Sequence, residues 1–448
     1  MSVIVPISNL NPTLIRKLDK DLHVKPILVK KGVQQPSNLK PVEAFDTFTF
    51  NNKNCASIPL SYYYHHLSTI ERIDNDCVDR DITFKGELLP RQKEVREEII
   101  EILNRTGSVV LSLRTGFGKT IMAIYLASKI KKQTIILCHR KIIIEQWVES
   151  IKKYCPNSSV RVLGEKVGKK YTGPSENEVD FLVCNVVNIP KKDRSFFSSF
   201  GLVIVDEVHT VCTESFSRSL LYIFPEYLIG LSATPFRSDG MDRLIELFCG
   251  PEIVFRKLYR AFNAYKINTG FKPNPQMNVI GNLDWNGVLE EQANCKERNE
   301  LIVNLCRYFT SRNILVLVKR KEHAAVLKNL LLKCGEDVDM FTGDSKECNY
   351  ECRVLIATYS ISGVGFDHAK LDTLIAAADV LENFTQYIGR VFRRDDVVPV
   401  YIDLVDEMST IKKHSQERLK ICKELGAEVK TFDKMFPSFN KMISYLNL

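Results

Sequence analysis

The chain has 448 residues, 45% of them hydrophobic and 26% charged, with thirteen cysteines and a formal net charge of +8. That length holds two or three domains with sizeable cores, and no apolar stretch approaches the ~20 residues that a membrane-spanning helix needs. The odd, scattered cysteines, some inside apolar runs (Cys138, Cys184), exclude a disulfide framework and read as reduced buried thiols.

The start, Met1-Ser2-Val3-Ile4-Val5-Pro6, lacks the basic residues and long apolar core of a signal peptide. An intracellular protein without a membrane partner is expected. Basic residues concentrate at the ends: residues 1–42 carry seven Lys/Arg against two Asp/Glu, and residues 409–448 carry eight against four. Basic ends on a near-neutral centre suit a polyanion such as nucleic acid, or are solvated tails. Cys348 and Cys352 are close in sequence but lack a second ligand pair, so no metal site is expected there.

In chain order, residues 1–82 show no regular alternation and form a small accessory domain. Its aromatic cluster, Tyr62-Tyr63-Tyr64-His65-His66, either stacks on DNA bases or builds a hydrophobic mini-core. Leu88-Leu89-Pro90-Arg91-Gln92 then precedes an amphipathic helix marked by Val95, Ile99, Ile102 and Leu103. From residue 109, short apolar runs at 109–113, 134–138, 181–184, 202–205 and 228–231 alternate with helix-length segments such as 121–132. Unbroken runs of this length read as strands buried on both faces, so residues 83–260 are a doubly wound α/β domain with a parallel sheet. The pattern restarts with runs at 314–318, 354–357, 373–376 and 400–405, and a helix over 322–332, giving a second α/β domain over 261–408. Residues 409–448 read as a basic helix with a short aromatic-containing tail.

Arg114-Thr115-Gly116-Phe117-Gly118-Lys119-Thr120 follows a strand and opens a helix, the setting of a phosphate-binding loop. Gly116 and Gly118 let the backbone around Thr115 and Phe117 curl so that its N–H groups face phosphate oxygens. Lys119 reaches the β and γ oxygens of ATP, and Thr120 offers a hydroxyl to Mg²⁺. The general pattern has a glycine where Leu113 stands. Asp206-Glu207-Val208-His209 closes the run 202–205: Asp206 suits holding Mg²⁺ and Glu207 suits polarising the attacking water. The carboxamide of Gln92 can pair with adenine N6 and N7.

The order of Gln92, Gly-Phe-Gly-Lys-Thr at 116–120, Asp-Glu-Val-His at 206–209, Ser232-Ala233-Thr234 and Gln386-Tyr387-Ile388-Gly389-Arg390-Val391-Phe392-Arg393 resembles a superfamily 2 helicase of DEAD/H type. The resemblance covers about 84–408. Thr234-Pro235-Phe236-Arg237-Ser238-Asp239-Gly240 and Ile144-Glu145-Gln146-Trp147 are similar to the branch containing XPB, UvsW and the helicase subunits of restriction enzymes. The small N-terminal domain is most similar to those of helicases of large DNA viruses, of the poxvirus late-transcription, transcript-release type. A viral relative of this kind would work in the host cytoplasm or virion.

The resemblance implies two tandem RecA-like domains with ATP hydrolysed between them. It makes Ser232 and Thr234 coupling residues, with His209 as a link to them, and Gly363-Val364-Gly365-Phe366-Asp367 a loop in which Gly365 and Asp367 sense nucleotide. Gln386 would help close the interface. Arg390 and Arg393, three apart and on one face if helical, would act as arginine fingers. His139, Arg140 and Thr358 would touch the nucleic-acid backbone. The implied activity is an ATP-dependent DNA helicase or translocase, with RNA polymerase or transcription factors as further partners. The alternatives are an RNA helicase, a transcript-release factor in which unwinding is incidental, and a binding module with a dead ATPase.

Overall fold

The computed structural model describes residues 1–432 except 26, 31–32, 37–39, 75, 114–115, 167–172, 233–240, 257–258, 275–276, 278–282, 343–347, 350, 363–367, 369 and 395, and except the side chains of 27–30, 33–36, 361–362 and 432. The expectations for Thr115, Thr234, Gly365 and Asp367 lie outside the described residues. The chain divides into two compact units, Met1–Lys257 and Leu258–Leu448.

Each apolar run forms a strand. In the first unit these are Ser108–Leu113, Thr134–Cys138, Phe181–Asn185, Leu202–Asp206 and Tyr227–Ser232, buried along nearly their whole length. Dense Val, Ile and Leu fit such strands because both sheet faces are covered by helices. Short edge strands, Val160–Val162 and Ile253–Arg256, complete a seven-stranded sheet whose described pairings are all parallel. Their brevity and partial exposure hide them in the sequence.

The helix Pro90–Thr106 starts on proline, where a missing N–H costs nothing, and stops at Gly107 in the left-handed conformation (φ 68°). A β-carbon at Gly107 would lie 2.9 Å from the Tyr64 ring. The amino-terminal residues pack into the same core as this sheet: Met1, Val3 and Val5 join one cluster with Val110, Ile135 and Phe248. Arg194 fastens the two, lying over the rings of Phe48 (3.9 Å) and Tyr222 (4.6 Å) and pairing with Asp46 at 2.6 Å. Of the aromatic cluster, Tyr62 and Tyr63 are buried in the helix Leu60–His66, and their hydroxyls donate to Asp21 (2.8 Å) and to the Ile70 carbonyl (2.6 Å). The mini-core reading describes these two tyrosines.

The second unit holds another seven-stranded parallel sheet, with Ile314–Val318, Val354–Thr358, Thr373–Ala376 and Val400–Val405 at its centre. Three of its strands escape the sequence reading: the short edge strand Val338–Phe341, Phe262–Asn268 and Ala427–Phe432. Phe262–Asn268 mixes polar and apolar residues, and Ala427–Phe432 pairs with it in parallel as the sheet edge. Residues 427–432, expected as part of a tail, are therefore sheet. A half-exposed edge strand needs no unbroken apolar run.

The helix Ser409–Glu424 is likewise not a solvated basic segment. Its Arg418, 1% exposed, donates to Asp379 (2.6 Å) and Asp403 (2.8 Å), while Ser415 donates to Asp403 (2.6 Å). Asp403 belongs to the strand Val400–Val405, so the helix is bolted to the sheet through a buried charge pair.

His323 is also buried in this unit, and its Nε2 donates to Asn299 Oδ1 at 2.9 Å. Burial, helped by Arg298, pushes its pKa from 6.5 down to about 3. As pH falls below 6.5, the unfolded chain takes up a proton that the folded chain refuses until about 3, so stability present above 6.5 drains across that window. The urea midpoint of this unit is expected to fall less between pH 7 and pH 4.5 in His323→Gln than in the wild type. Equal falls in both would show that His323 does not contribute.

Candidate active site

Parallel register sets the site of the first unit. Asp206 pairs in register with Leu231, and Ser232 with Ser112, so the ends of three neighbouring strands coincide at the carboxyl edge of the sheet. The phosphate loop leaves the strand Ser108–Leu113 at this edge, and His139 follows the end of Thr134–Cys138. Ligands bind at such edges in doubly wound sheets.

Gly116 (φ 76°) and Gly118 (φ 90°) take the left-handed backbone expected of the loop. A β-carbon at Gly118 would stand 2.5 Å from Gln92 Nε2, so only glycine fits. Gln92 is buried. Its Nε2 donates to the Phe117 carbonyl at 3.0 Å, and its Oε1 accepts from the Leu89 N–H at 2.8 Å. Its carboxamide thus ties the helix start to the phosphate loop. Arg91 braces the loop from outside, donating to the Gly116 carbonyl (3.2 Å) with its guanidinium 6.0 Å from the Phe117 ring centre. Lys119 donates to the Leu113 carbonyl at 3.0 Å. Lys119 and Thr120 open the helix Lys119–Ile130, whose first N–H groups face the loop.

Asp206 ends its strand half-buried, and Trp147 Nε1 donates to its Oδ2 at 2.8 Å. Burial and the Glu207 charge raise the Asp206 pKa to about 6, against the pull of Trp147 and Lys119. The chain then turns sharply: Glu207 sits at φ 51°, ψ 63°, a conformation costing roughly 1–3 kcal/mol for a residue with a β-carbon. Thr210 holds it there, donating from its N–H (2.7 Å) and hydroxyl (2.8 Å) to the Glu207 carbonyl. Among the described residues, Glu207 Oε2 is buried without a hydrogen-bond donor, an acceptor suited to a water. His209 Nδ1 lies 3.5 Å from that oxygen and 3.0 Å from the Ser232 hydroxyl, so His209 and Ser232 are brought together.

His139 faces inward. Its Nδ1 is 3.0 Å from the Thr210 hydroxyl oxygen. The hydroxyl proton is committed to the Glu207 carbonyl, so Nδ1 carries the proton and donates. Burial, Arg140 and His209 push the His139 pKa down to about 4. A neutral ring in this tautomer presents a lone pair at Nε2, which does not suit a phosphate oxygen. Arg140 stands exposed at the start of the helix Lys141–Tyr154.

In the second unit, Gln386 is buried in the short helix Phe384–Ile388. Arg390 follows in the 3₁₀ turn Gly389–Val391, and Arg393 lies beyond that turn, so the pair is not carried on one α-helical face as expected. Glycine at 389 and the tighter turn end the α-helix before either arginine. Burial lowers the Arg393 pKa to about 10, leaving it charged at neutral pH in a low-dielectric setting. Arg394 is not simply solvated: it pairs with Asp396 (2.6 Å) and Asp372 (3.4 Å). Thr358, buried at a strand end, has its hydroxyl 3.3 Å from that of Ser360.

Trp147, Thr210 and Arg91 contribute to the first-unit site without having been singled out as site residues. Trp147 stands in the Ile-Glu-Gln-Trp segment, the one available signal. Thr210, directly after Asp-Glu-Val-His, gives none, because its part depends on the turn at Glu207. The glycine cradle, Lys119, the Thr120 hydroxyl at the helix start, the Asp206 carboxylate and the buried Glu207 oxygen are residue types that fit a magnesium-bound nucleoside triphosphate.

The family described as type III restriction enzyme, res subunit, matches residues 85–237. The chain is 38% identical to the putative helicase 161L of Invertebrate iridescent virus 6, over 96% of this chain and 100% of that protein. It is 28% identical to the putative ATP-dependent RNA helicase L396 of Acanthamoeba polyphaga mimivirus, over 90% of this chain and 80% of that one. A solved structure of S. cerevisiae Dbp5 bound to RNA and ADP BeF3 is similar in fold, with a TM-score of 0.54 at 14% identity, covering 79% of this chain and 92% of that one.

Replacing Trp147 by Phe keeps the ring but removes the donor to Asp206. Measured by Mg²⁺ titration of nucleotide turnover, it is expected to lower metal affinity or turnover ~10–100-fold with the fold retained. Unchanged Mg²⁺ dependence and rate would remove Trp147 from the site.

Proposed function

Because this chain belongs to the superfamily 2 helicases, in the group carried by large DNA viruses, we propose that it is a nucleic-acid-stimulated ATPase that translocates on DNA, hydrolysing ATP between two RecA-like units. Lys119 and the loop N–H groups of 115–118 bind the phosphates; Thr120 and Asp206 would hold Mg²⁺, which would supply positive charge to offset that of the phosphates. Glu207 takes the proton of the attacking water. Arg390 and Arg393, with Gln386, approach from the second unit and stabilise charge on the transferring phosphoryl group, so turnover requires closure of the units. His209 and Ser232, with Thr234, pass the state of the nucleotide site to the rest of the chain. Gly365 and Asp367 respond to nucleotide, and Arg140 and Thr358 grip the strand backbone.

The observation that supports this reading most is Glu207: a carboxylate oxygen buried without a donor among the described residues, beside the raised-pKa carboxylate of Asp206. Backbone contacts position a strand without identifying its sugar. The choice of DNA rests on similarity to the XPB and UvsW branch. The RNA-helicase name of the mimivirus relative supports an RNA-directed second reading. In either case the movement can serve transcript release, acting on RNA polymerase, or repair and recombination.

ATP turnover of the purified protein is expected to rise with single-stranded or duplex DNA more than with RNA of matched sequence; the reverse order would favour the RNA reading. Glu207→Gln should bind ATP yet turn it over at least ~10²-fold more slowly. Wild-type turnover in that variant would sink the hydrolytic assignment. Release of transcripts from stalled complexes, compared with strand displacement on naked duplex, separates a release factor from an unwinding enzyme.

A further inference from the structure

Arg260 stands at the chain entry to the second unit, and its half-buried guanidinium gathers backbone carbonyls. Nη1 donates to the Phe392 carbonyl at 2.9 Å, and Nη2 donates to the carbonyl of Arg394 and, at 2.9 Å, to that of Val397. The Phe392 carbonyl belongs to the peptide that enters Arg393, and the Arg394 carbonyl to the peptide after the next residue, so one planar cation holds the backbone on both sides of Arg393.

Arg260 is itself fixed. Its N–H donates to the Leu425 carbonyl at 2.9 Å. Gly426, at φ +100°, passes so close that a β-carbon there would lie 2.7 Å from the Arg260 carbonyl oxygen. The rings of Phe262 and Phe392 pack at 4.8 Å, and Arg312 holds the far side of the turn through the Val398 carbonyl (2.9 Å). Apart from Phe392, none of these groups is near enough in sequence to mark itself as part of the site.

We propose that Arg260 is a positioning residue: by holding the 392 and 394 carbonyls it sets the direction in which Arg393 leaves the backbone. This rests on the role given above to Arg393. A lysine offers one point charge in place of a planar fork and holds the carbonyls less well.

The test is a double-mutant cycle on DNA-stimulated ATP turnover of the full chain, using Arg260→Met, Arg393→Ala and the double variant, with Arg260→Lys as the conservative change. Arg260→Met is expected to lower kcat by ~10²-fold with KM for ATP unchanged, and Arg260→Lys to restore part of the loss. In the Arg393→Ala background, Arg260→Met should have no further effect. The same loss in both backgrounds would overturn the proposal, because Arg260 would then act on something other than Arg393. Wild-type turnover in Arg393→Ala alone would instead remove the role of Arg393, and this inference with it. If Arg260→Met fails to fold by thermal melting, the lysine variant takes its place in the cycle, and the same two results decide for or against the proposal.

Discussion

Parallel pairing of the strands Ser108–Leu113, Tyr227–Ser232 and Leu202–Asp206 is the constraint on which the first unit depends. Parallel strands must all leave the sheet at the same edge, so the phosphate loop, Ser232 and Asp206 are gathered there by register alone. A one-residue slip would turn Asp206 toward the opposite sheet face. Slippage is opposed by burial, since Val203, Ile204 and Val205 are fully enclosed. The catalytic edge is thus secured by residues that touch no nucleotide.

At that edge the fold tolerates unfavourable local arrangements. Two neighbouring carboxylates are crowded, one with its pKa raised to about 6. Glu207 sits in a left-handed backbone, and among the described residues one of its oxygens lacks a donor. Thr210 and Trp147 are the compensating contacts, one on the Glu207 carbonyl and the other on the Asp206 carboxylate. Crowded carboxylates are stabilised by a divalent cation and a strained turn by the water it presents, which is why such features collect at functional sites.

Much of this was legible in the residues themselves. Interior strands with unbroken apolar runs betray themselves, and Thr134–Cys138, Ile314–Val318, Thr373–Ala376 and Val400–Val405 have the bounds read from the sequence, whereas the interior strand Phe262–Asn268, mixed in composition, does not. Edge strands do not, because half their surface meets solvent; Ala427–Phe432 is the clearest instance. Lys119, Asp206 and Glu207 were legible because their chemistry is tied to short spacings beside a strand. Trp147, Thr210 and Arg260 were not, since each acts through a contact made only once distant segments have folded. The inward turn of His139 follows from the Thr210 hydroxyl, and no local pattern announces it.

The proposed function draws residues from both units of the chain into one catalytic centre. Comparing ATP affinity with ATP turnover in Arg390→Ala, in the presence of DNA, tests it most directly. Affinity close to wild type with turnover lowered ~10³-fold or more is the predicted result. Wild-type turnover in Arg390→Ala would contradict the account.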